Sequence, residues 1–318
     1  MLRVLTWNIY EGGHGFGRHL LRELAHVIRR TGAHLCLLQE VTDETHADQA
    51  QALARELGWP HVLAQGIVFA HDSNDHPAAI ISQFPLEPTA GRFGARVHVP
   101  RPTGSSPAFA APAVFVFNTH LPSSPYQPYQ LRGIPYHDAP FFSTPGEAVA
   151  AASETRGEHV AAVVADIRQT LAAFGAAGGD LLVVVGMDAN EPSALDWTPA
   201  TVLTGQQPAC VPWPSLQQLC AGAALMDAVR AHAPSPVLAP ETTWQPYAGL
   251  ADKADHRDRI DVLLYRTAGR VALRSAGAVG EAALEAWQAQ AQDSAGAPPE
   301  RWPSDHRAVL AEFVLSNA

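Results

Sequence analysis

The sequence predicts an α/β or α+β protein, and three observations carry that expectation. Short apolar runs rich in Val, Ile and Leu alternate with stretches of helical periodicity along the whole chain. Most of those runs close on a polar residue, which is where a sheet delivers side chains to one rim. With 318 residues and 47% hydrophobic content, the chain can bury the core of one large domain spanning residues 1–318.

Taken in order, residues 2–9 predict the first strand. Residues 18–30 follow as a helix, with Leu20, Leu21, Leu24, Val27 and Ile28 on one face and Gly32 closing it. Residues 35–39 predict a second strand and residues 48–57 a second helix with Leu53 and Leu57 inward. Runs at 67–70, 78–82, 95–99 and 113–118 complete a β-rich first half. The longest helix is expected over 153–174, where Val160, Val163, Val164, Ile167 and Leu171 recur at helical spacing. The unbroken aliphatic run at 181–185 predicts a buried strand. Later strands are expected at 260–265, 271–275 and 308–315, with a helix near 281–292. Three Pro- and Gly-rich stretches, near 100–112, 123–145 and 205–240, are expected as loop insertions.

Charge bears on the partner. The formal net charge is -10, from 21 basic and 31 acidic side chains, and the one lysine is Lys253. A protein that tracks long nucleic acid carries a basic stripe, and none is visible, so a smaller or less extended partner is favoured over DNA or RNA. No apolar run of membrane-spanning length and no leader-like h-region is present, so membrane insertion is not expected and the cytoplasm is the expected location. Cys36 lies in an apolar run and reads as a small buried side chain; Cys210 and Cys220 would pair only in an oxidising compartment. A zinc hydrolase needs a spacing such as His-Glu-x-x-His, which does not occur.

Six polar fragments carry the chemistry. Asn8 ends Leu5-Thr6-Trp7-Asn8, Glu40 follows Leu37-Leu38-Gln39, and His120 closes Phe117-Asn118-Thr119-His120. Asp188 and Asn190 follow Val185-Gly186-Met187, Asp261 lies in Arg259-Ile260-Asp261-Val262-Leu263, and Asp305-His306 precedes the last strand. Carboxylates, amides and imidazoles gathered on one rim can bind a hard divalent cation and a phosphoryl group together. Taken singly, each fragment has a plainer reading: Glu40 as a solvated loop residue, Asn8 as a turn former, Asp188-Ala189-Asn190 as a turn.

In that order the fragments resemble the endonuclease/exonuclease/phosphatase superfamily of DNase I-like and exonuclease III-like metal-dependent phosphoesterases, from Leu2 to Leu315. One departure is Met187, which stands where the family usually has glycine before the aspartate. The resemblance implies a four-layer sandwich of two packed, mainly antiparallel sheets flanked by helices on both outer faces. It implies Mg²⁺ or Mn²⁺ held by Glu40 with Asn8 and Asp305 assisting, and a water positioned by Asp188 for in-line attack. Asn190, His120 and His306 would hold the phosphoryl oxygens, and Asp261 would orient His306; either Asp188 or His306 could be the general base. The sequence leaves substrate contacts open. Tyr129 stands in the aromatic stretch after His120, either a recognition loop or a proline-stiffened surface loop. Trp244 either walls the pocket or belongs to the core, Arg156 either reaches a phosphate or caps a solvated helix end, and His14 is a weaker candidate.

Overall fold

The computed structural model describes residues 1–41, 49–65, 77–100, 111–136, 138–175, 179–244, 256–289 and 299–315. Two six-stranded sheets face each other. The first runs β11 (Val271–Val279), β12 (Ala308–Leu315), β1 (Leu2–Asn8), β2 (Leu35–Gln39), β4 (Ala78–Ser82), β3 (His61–Gln65). The second runs β5 (Leu86–Pro88), β6 (Gly94–Val97), β7 (Ala113–His120), β8 (Leu181–Asp188), β10 (Asp261–Ala268), β9 (Met226–Asp227). Both sheets follow one plan, a central parallel pair (β1–β2 or β7–β8) with antiparallel neighbours on either side. The mainly antiparallel four-layer sandwich implied by the resemblance is the observed fold.

A parallel pair needs a crossover, and here each crossover is a helix laid on the outer face. Helix α2 (Leu21–Thr31) joins β1 to β2, and α5 (Pro145–Phe174) joins β7 to β8. Before α2 comes a single turn, α1 (Tyr10–Gly13). Leu24, Val27 and Ile28 of α2 pack with Leu53 of α3 (Gln49–Leu57), Leu284 of α9 (Glu281–Ala289) and Leu5, Trp7, Cys36 and Leu38 of the first sheet. Val160, Val163 and Ile167 of α5 pack with Leu216 and Leu219 of a later helix, Pro214–Ala223, and with Val183, Val185 and Met187. Between the sheets lie the alternate residues, Val4, Leu37, Val114, Val116, Leu182, Val184, Leu263 and Phe313 among them. Burying one Val or Leu side chain contributes about 1.5–3 kcal/mol, so the period-two pattern decides which face each strand turns inward.

Some boundaries differ from the sequence reading. The long helix starts at Pro145, not near 153, because Thr144 caps it and Glu147 completes a capping box with proline in the first turn. The stretch 123–145 carries α4 (Gln127–Arg132). The stretch 205–240, expected as loop from its prolines, instead holds helix α7 (Pro214–Ala223), strand β9 and α8 (Ala228–His232), after α6 (Pro199–Leu203). The prolines at the heads of α6 and α7 start helices rather than breaking them. The strand expected at 67–70 and much of the 100–112 stretch lie outside the described residues.

Candidate active site

The rim forms where the parallel pairs end. β1 and β2 finish side by side at Asn8 and Gln39, and β7 and β8 finish at His120 and Asp188, which are direct partners. β10 is antiparallel to β8, so it begins opposite that end, with Asp261 paired to Asp188. The period of two then points Asn8, His120, Asp188 and Asp261 into the space between the sheets.

Two sharp backbone turns aim the next residues back at the rim. Glu40 has φ 53 and Asn190 has φ 45, both in the left-handed region. A side-chain-bearing residue there costs about 1–2 kcal/mol, less for Asn. The turn lets Glu40 Oε1 accept from Asn8 Nδ2 at 2.8 Å and Oε2 accept from the Glu11 backbone at 3.0 Å.

Asp188 is the hub. Its Oδ2 accepts from Asn8 Nδ2 at 3.0 Å and lies 3.3 Å from His120 Nε2 and 3.8 Å from His306 Nε2. Its Oδ1 accepts from the Asn190 backbone N–H at 2.9 Å. Burial favours the protonated acid, but His306, His120 and Asn8 outweigh it and hold the carboxyl well below the usual carboxylate range. His120 Nε2 also lies 2.9 Å from Asn190 Nδ2, so the ring tautomer decides which contact is a hydrogen bond. Asn190 Nδ2 donates to the Leu121 carbonyl at 2.9 Å as well.

His306 faces Asp261 on its other side, with Nδ1 at 2.9 Å from Asp261 Oδ2. Burial works against its charged form, and the carboxylates of Asp261, Asp305 and Asp188 reverse that, raising it well above an ordinary histidine. The imidazolium is the form they select. Trp7 and Trp302 donate their indole N–H groups to the His306 carbonyl at 3.0 and 2.7 Å, which pins the residue in place. Beside it, burial and then the Glu40 and Asp188 carboxylates push Asp305 up to about 7, against the pull of His306.

Asp188, Asp261 and His306 form a buried group whose potential ligand atoms all lie within 4.8 Å of one another, close enough to hold a metal ion. Glu40 and Asp305 adjoin this group with carboxylate oxygens, while Asn8 turns Nδ2 to Glu40 and Asp188 and its Oδ1 accepts from the Tyr10 backbone at 3.0 Å. Asp305 Oδ1 is buried without a hydrogen bond, 3.9 Å from His306 Nε2.

The proposed substrate contacts divide. Trp244 is half-buried at the rim, in a backbone bridge with His306. Tyr129 is buried, 5.8 Å from the Trp244 ring, so it backs that side chain. Arg156 stands neither at a helix end nor in solvent. It is fully buried in the body of α5, where its guanidinium donates to the carbonyls of Pro122 and Pro125 and to Gln127 Oε1 and lies 3.7 Å from Glu191. Those partners use its donors, and it serves as a strut under the segment after His120. His14 contacts the His19 ring at 4.5 Å, in the loop after α1.

Sequence reading missed the groups that hold the rim together. Gln39 Nε2 donates to Thr6 Oγ1 and Asn118 Oδ1 at 3.0 and 2.7 Å, while Asn118 Nδ2 reaches the Leu38 and Ala79 carbonyls, tying one sheet to the other. Thr243 Oγ1 accepts from the backbones of Ile260 and Asp261, and Ser304 Oγ joins the Asn8 carbonyl to the His306 backbone. Polar residues at inward positions of apolar strands were the available signal for Thr6, Gln39 and Asn118. Met187 turns outward into the helix layer, and Gly186 is the position that needs to be small: a Cβ there would lie 2.5 Å from Leu37 Cδ1.

The profile of the Endonuclease/Exonuclease/phosphatase family matches residues 5–306. The chain belongs to that family. It is accordingly a hydrolase of phosphoester bonds. Solved structures share the fold at low identity. A family protein from Leptotrichia buccalis C-1013-b is 10% identical, with 99% of this chain and 100% of that one covered and a TM-score of 0.52. A variant of the 3′ phosphatase NExo from Neisseria, bound to product DNA hairpin, is 18% identical over 99% and 100% of the two chains, with a TM-score of 0.54. An AP endonuclease from Archaeoglobus fulgidus is 14% identical over 98% and 99%, with a TM-score of 0.52. Among curated proteins the chain matches none. No helix among the described residues is long and apolar enough to cross a membrane.

Proposed function

We propose that this protein hydrolyses a small or short phosphoester by in-line attack of water, with Mg²⁺ or Mn²⁺ held by Glu40, Asn8 and Asp305. The observation that carries the reading is Asp188, an ionised carboxylate between two imidazoles, with Asp261 behind one of them. The metal assignment is supported by the Glu40 and Asp305 carboxylates and by the buried Asp305 Oδ1, which makes no hydrogen bond. When bound, such an ion supplies positive charge to the phosphoryl and leaving oxygens.

The protein's own groups do the rest. Asp188 accepts a hydrogen bond from the attacking water and orients it. A carboxylate held so far below its ordinary value stores a proton poorly, which favours orientation over proton storage. His306, kept as imidazolium by Asp261, stabilises charge developing on the phosphoryl oxygens, with His120 and Asn190 on the other side. Asp261 holds the His306 ring in one orientation. The proposed setting is the cytoplasm.

The acidic balance favours the small substrate. A DNA or RNA nuclease is the second reading, favoured by the fold shared with the Neisseria phosphatase on its DNA hairpin. The deciding experiment compares hydrolysis of bis-p-nitrophenyl phosphate, p-nitrophenyl phosphate and plasmid DNA with Mg²⁺, Mn²⁺ or EDTA. Metal-dependent turnover of the esters alone supports the small-substrate reading. Nicking of plasmid, absent in Asp188→Asn, replaces it with the nuclease. No turnover of any of the three under any metal rejects the proposal.

A further inference from the structure

Asp258 is not one of the reacting groups, yet four side chains converge on its carboxylate. Tyr126 Oη donates to Oδ2 at 2.6 Å, and His256 Nε2 meets the same oxygen at 2.6 Å. Trp197 Nε1 and Gln207 Nε2 donate to Oδ1 at 2.9 and 3.3 Å. The residue is 1% exposed. Burial alone would favour the neutral acid, and His256, Tyr126 and Trp197 overcome it, holding the carboxyl below its usual value. Its backbone carbonyl accepts from Thr243 and Trp244 at 3.0 and 3.1 Å.

These donors come from different parts of the rim. Tyr126 belongs to the segment after His120, and Trp197 to the segment after Asn190. Thr243 and Trp244 form the segment that supports Asp261 through Thr243 Oγ1 and bridges to His306 through Trp244. One residue therefore joins these loops: its carboxylate holds the segments after His120 and Asn190, and its backbone carbonyl holds the Thr243–Trp244 segment behind Asp261 and His306. A satisfied buried network of this kind is worth more than its separate bonds and fixes one arrangement.

What it arranges is a row of rings. Tyr126 lies 5.1 Å from Tyr129 and 5.5 Å from Trp244, and Tyr129 lies 5.6 Å from Tyr136. Trp244 and Tyr136 keep part of their surface exposed. Trp244 stands beside His306, its partner in a backbone bridge. The Trp244 end of the row therefore meets the reacting groups.

We infer that Asp258 is a positioning residue that holds this aromatic wall against the rim, and that the wall receives a planar aromatic group of the substrate, as an aryl ester or nucleobase would supply. The inference rests on the phosphoesterase reading and adds the substrate class. The chemistry of stacking supports it: ring pairs contribute about 0.5–1.5 kcal/mol beyond simple burial, which is about a two- to tenfold effect on binding.

The test measures competitive inhibition of bis-p-nitrophenyl phosphate hydrolysis by phenylphosphonate and by methylphosphonate, which differ only in the ring. Wild type, Asp258→Asn and Tyr126→Phe are compared, with near-ultraviolet circular dichroism of each. Tyr126→Phe removes one hydroxyl and keeps the ring, so it remains informative where Asp258→Asn fails to fold. The expected result is a wild-type preference for phenylphosphonate that shrinks about two- to tenfold in the variants, with any change in kcat smaller than the change in KM. Equal inhibition of wild type by the two phosphonates overturns the aromatic-substrate inference. A preference that survives both substitutions overturns the role of Asp258, as does a fall in kcat at constant preference. Absence of hydrolysis of this ester by wild type is a different failure and removes the small-phosphoester reading on which the inference rests.

Discussion

Replacing Arg156 with methionine separates a buried strut from a substrate contact. The substitution keeps an unbranched apolar stem in α5 and removes donors to Pro122 (3.1 Å), Pro125 (3.3 Å) and Gln127 (2.6 Å). It also strips Glu191, itself fully buried, of a cation at 3.7 Å. Removing one partner of a buried ion pair costs about 3–5 kcal/mol. Two features pull the value to the low end. Glu191 keeps two donors from Ser215 at 2.7 and 2.9 Å, and burial already pushes its carboxyl above the ordinary value, so it can take up a proton. The expected loss is about 3 kcal/mol, near 6 °C at roughly 2 °C per kcal/mol for a chain of this size. Urea unfolding followed by circular dichroism at pH 7 measures it, provided the slope is unchanged. The double variant Arg156→Met, Glu191→Gln should regain part of the loss, because the stranded charge is gone. A loss under about 1 kcal/mol together with a raised KM would refute this reasoning and restore Arg156 as a phosphate contact.

Other expectations follow from the rim. Asp188→Asn and His306→Ala should each lower kcat at least about 100-fold, on the order of one lost oxyanion-type or acid–base contribution, with far-ultraviolet circular dichroism unchanged. Turnover near wild type in either variant removes that residue from the mechanism. Gly186→Ala forces a methyl to within 2.5 Å of Leu37 Cδ1 and 2.9 Å of Thr6 Oγ1, between the sheets and two residues from Asp188. It should cost about 1–3 kcal/mol in denaturant unfolding, and an unchanged midpoint would show that the sheets part easily there. Asp258 has a folded value below its unfolded one, so its stabilisation is present above the ordinary carboxylate pKa and is lost as pH falls through the folded value. Acid melts of wild type should therefore steepen below about pH 4 relative to Asp258→Asn, and parallel curves would contradict the shift.

Much of the rim was legible because strand ends are local features. An apolar run that stops on Asn8, His120 or Asp188 declares both a strand and a polar terminus. The strands themselves run on to include those residues, since the ladder pairs His120 with Asp188 and Asp188 with Asp261. Pro145 reads as the end of a loop, though Thr144 and Glu147 spell a helix start around it. Prolines near 205–240 mislead in the same way, because proline suits a first helical turn as well as a loop. Arg156 was illegible for a different reason. Whether a guanidinium meets phosphate or carbonyl oxygens depends on which loop folds over it, and Pro122 and Pro125 are 34 and 31 residues away in sequence.

By itself the sequence determined the strands and crossover helices that frame the rim, the apolar faces of α2 and α5, and the polar residues Asn8, His120 and Asp188 that end strands. Periodicity and side-chain chemistry operate over a few residues, so a single chain displays them. Tertiary structure alone decided which of the 15 histidines sit between carboxylates, which arginine is a strut, and that Asp258 joins the loops behind the rim. Those outcomes depend on burial and on charges brought together across two helical crossovers, and both arise only when the sheets close on each other.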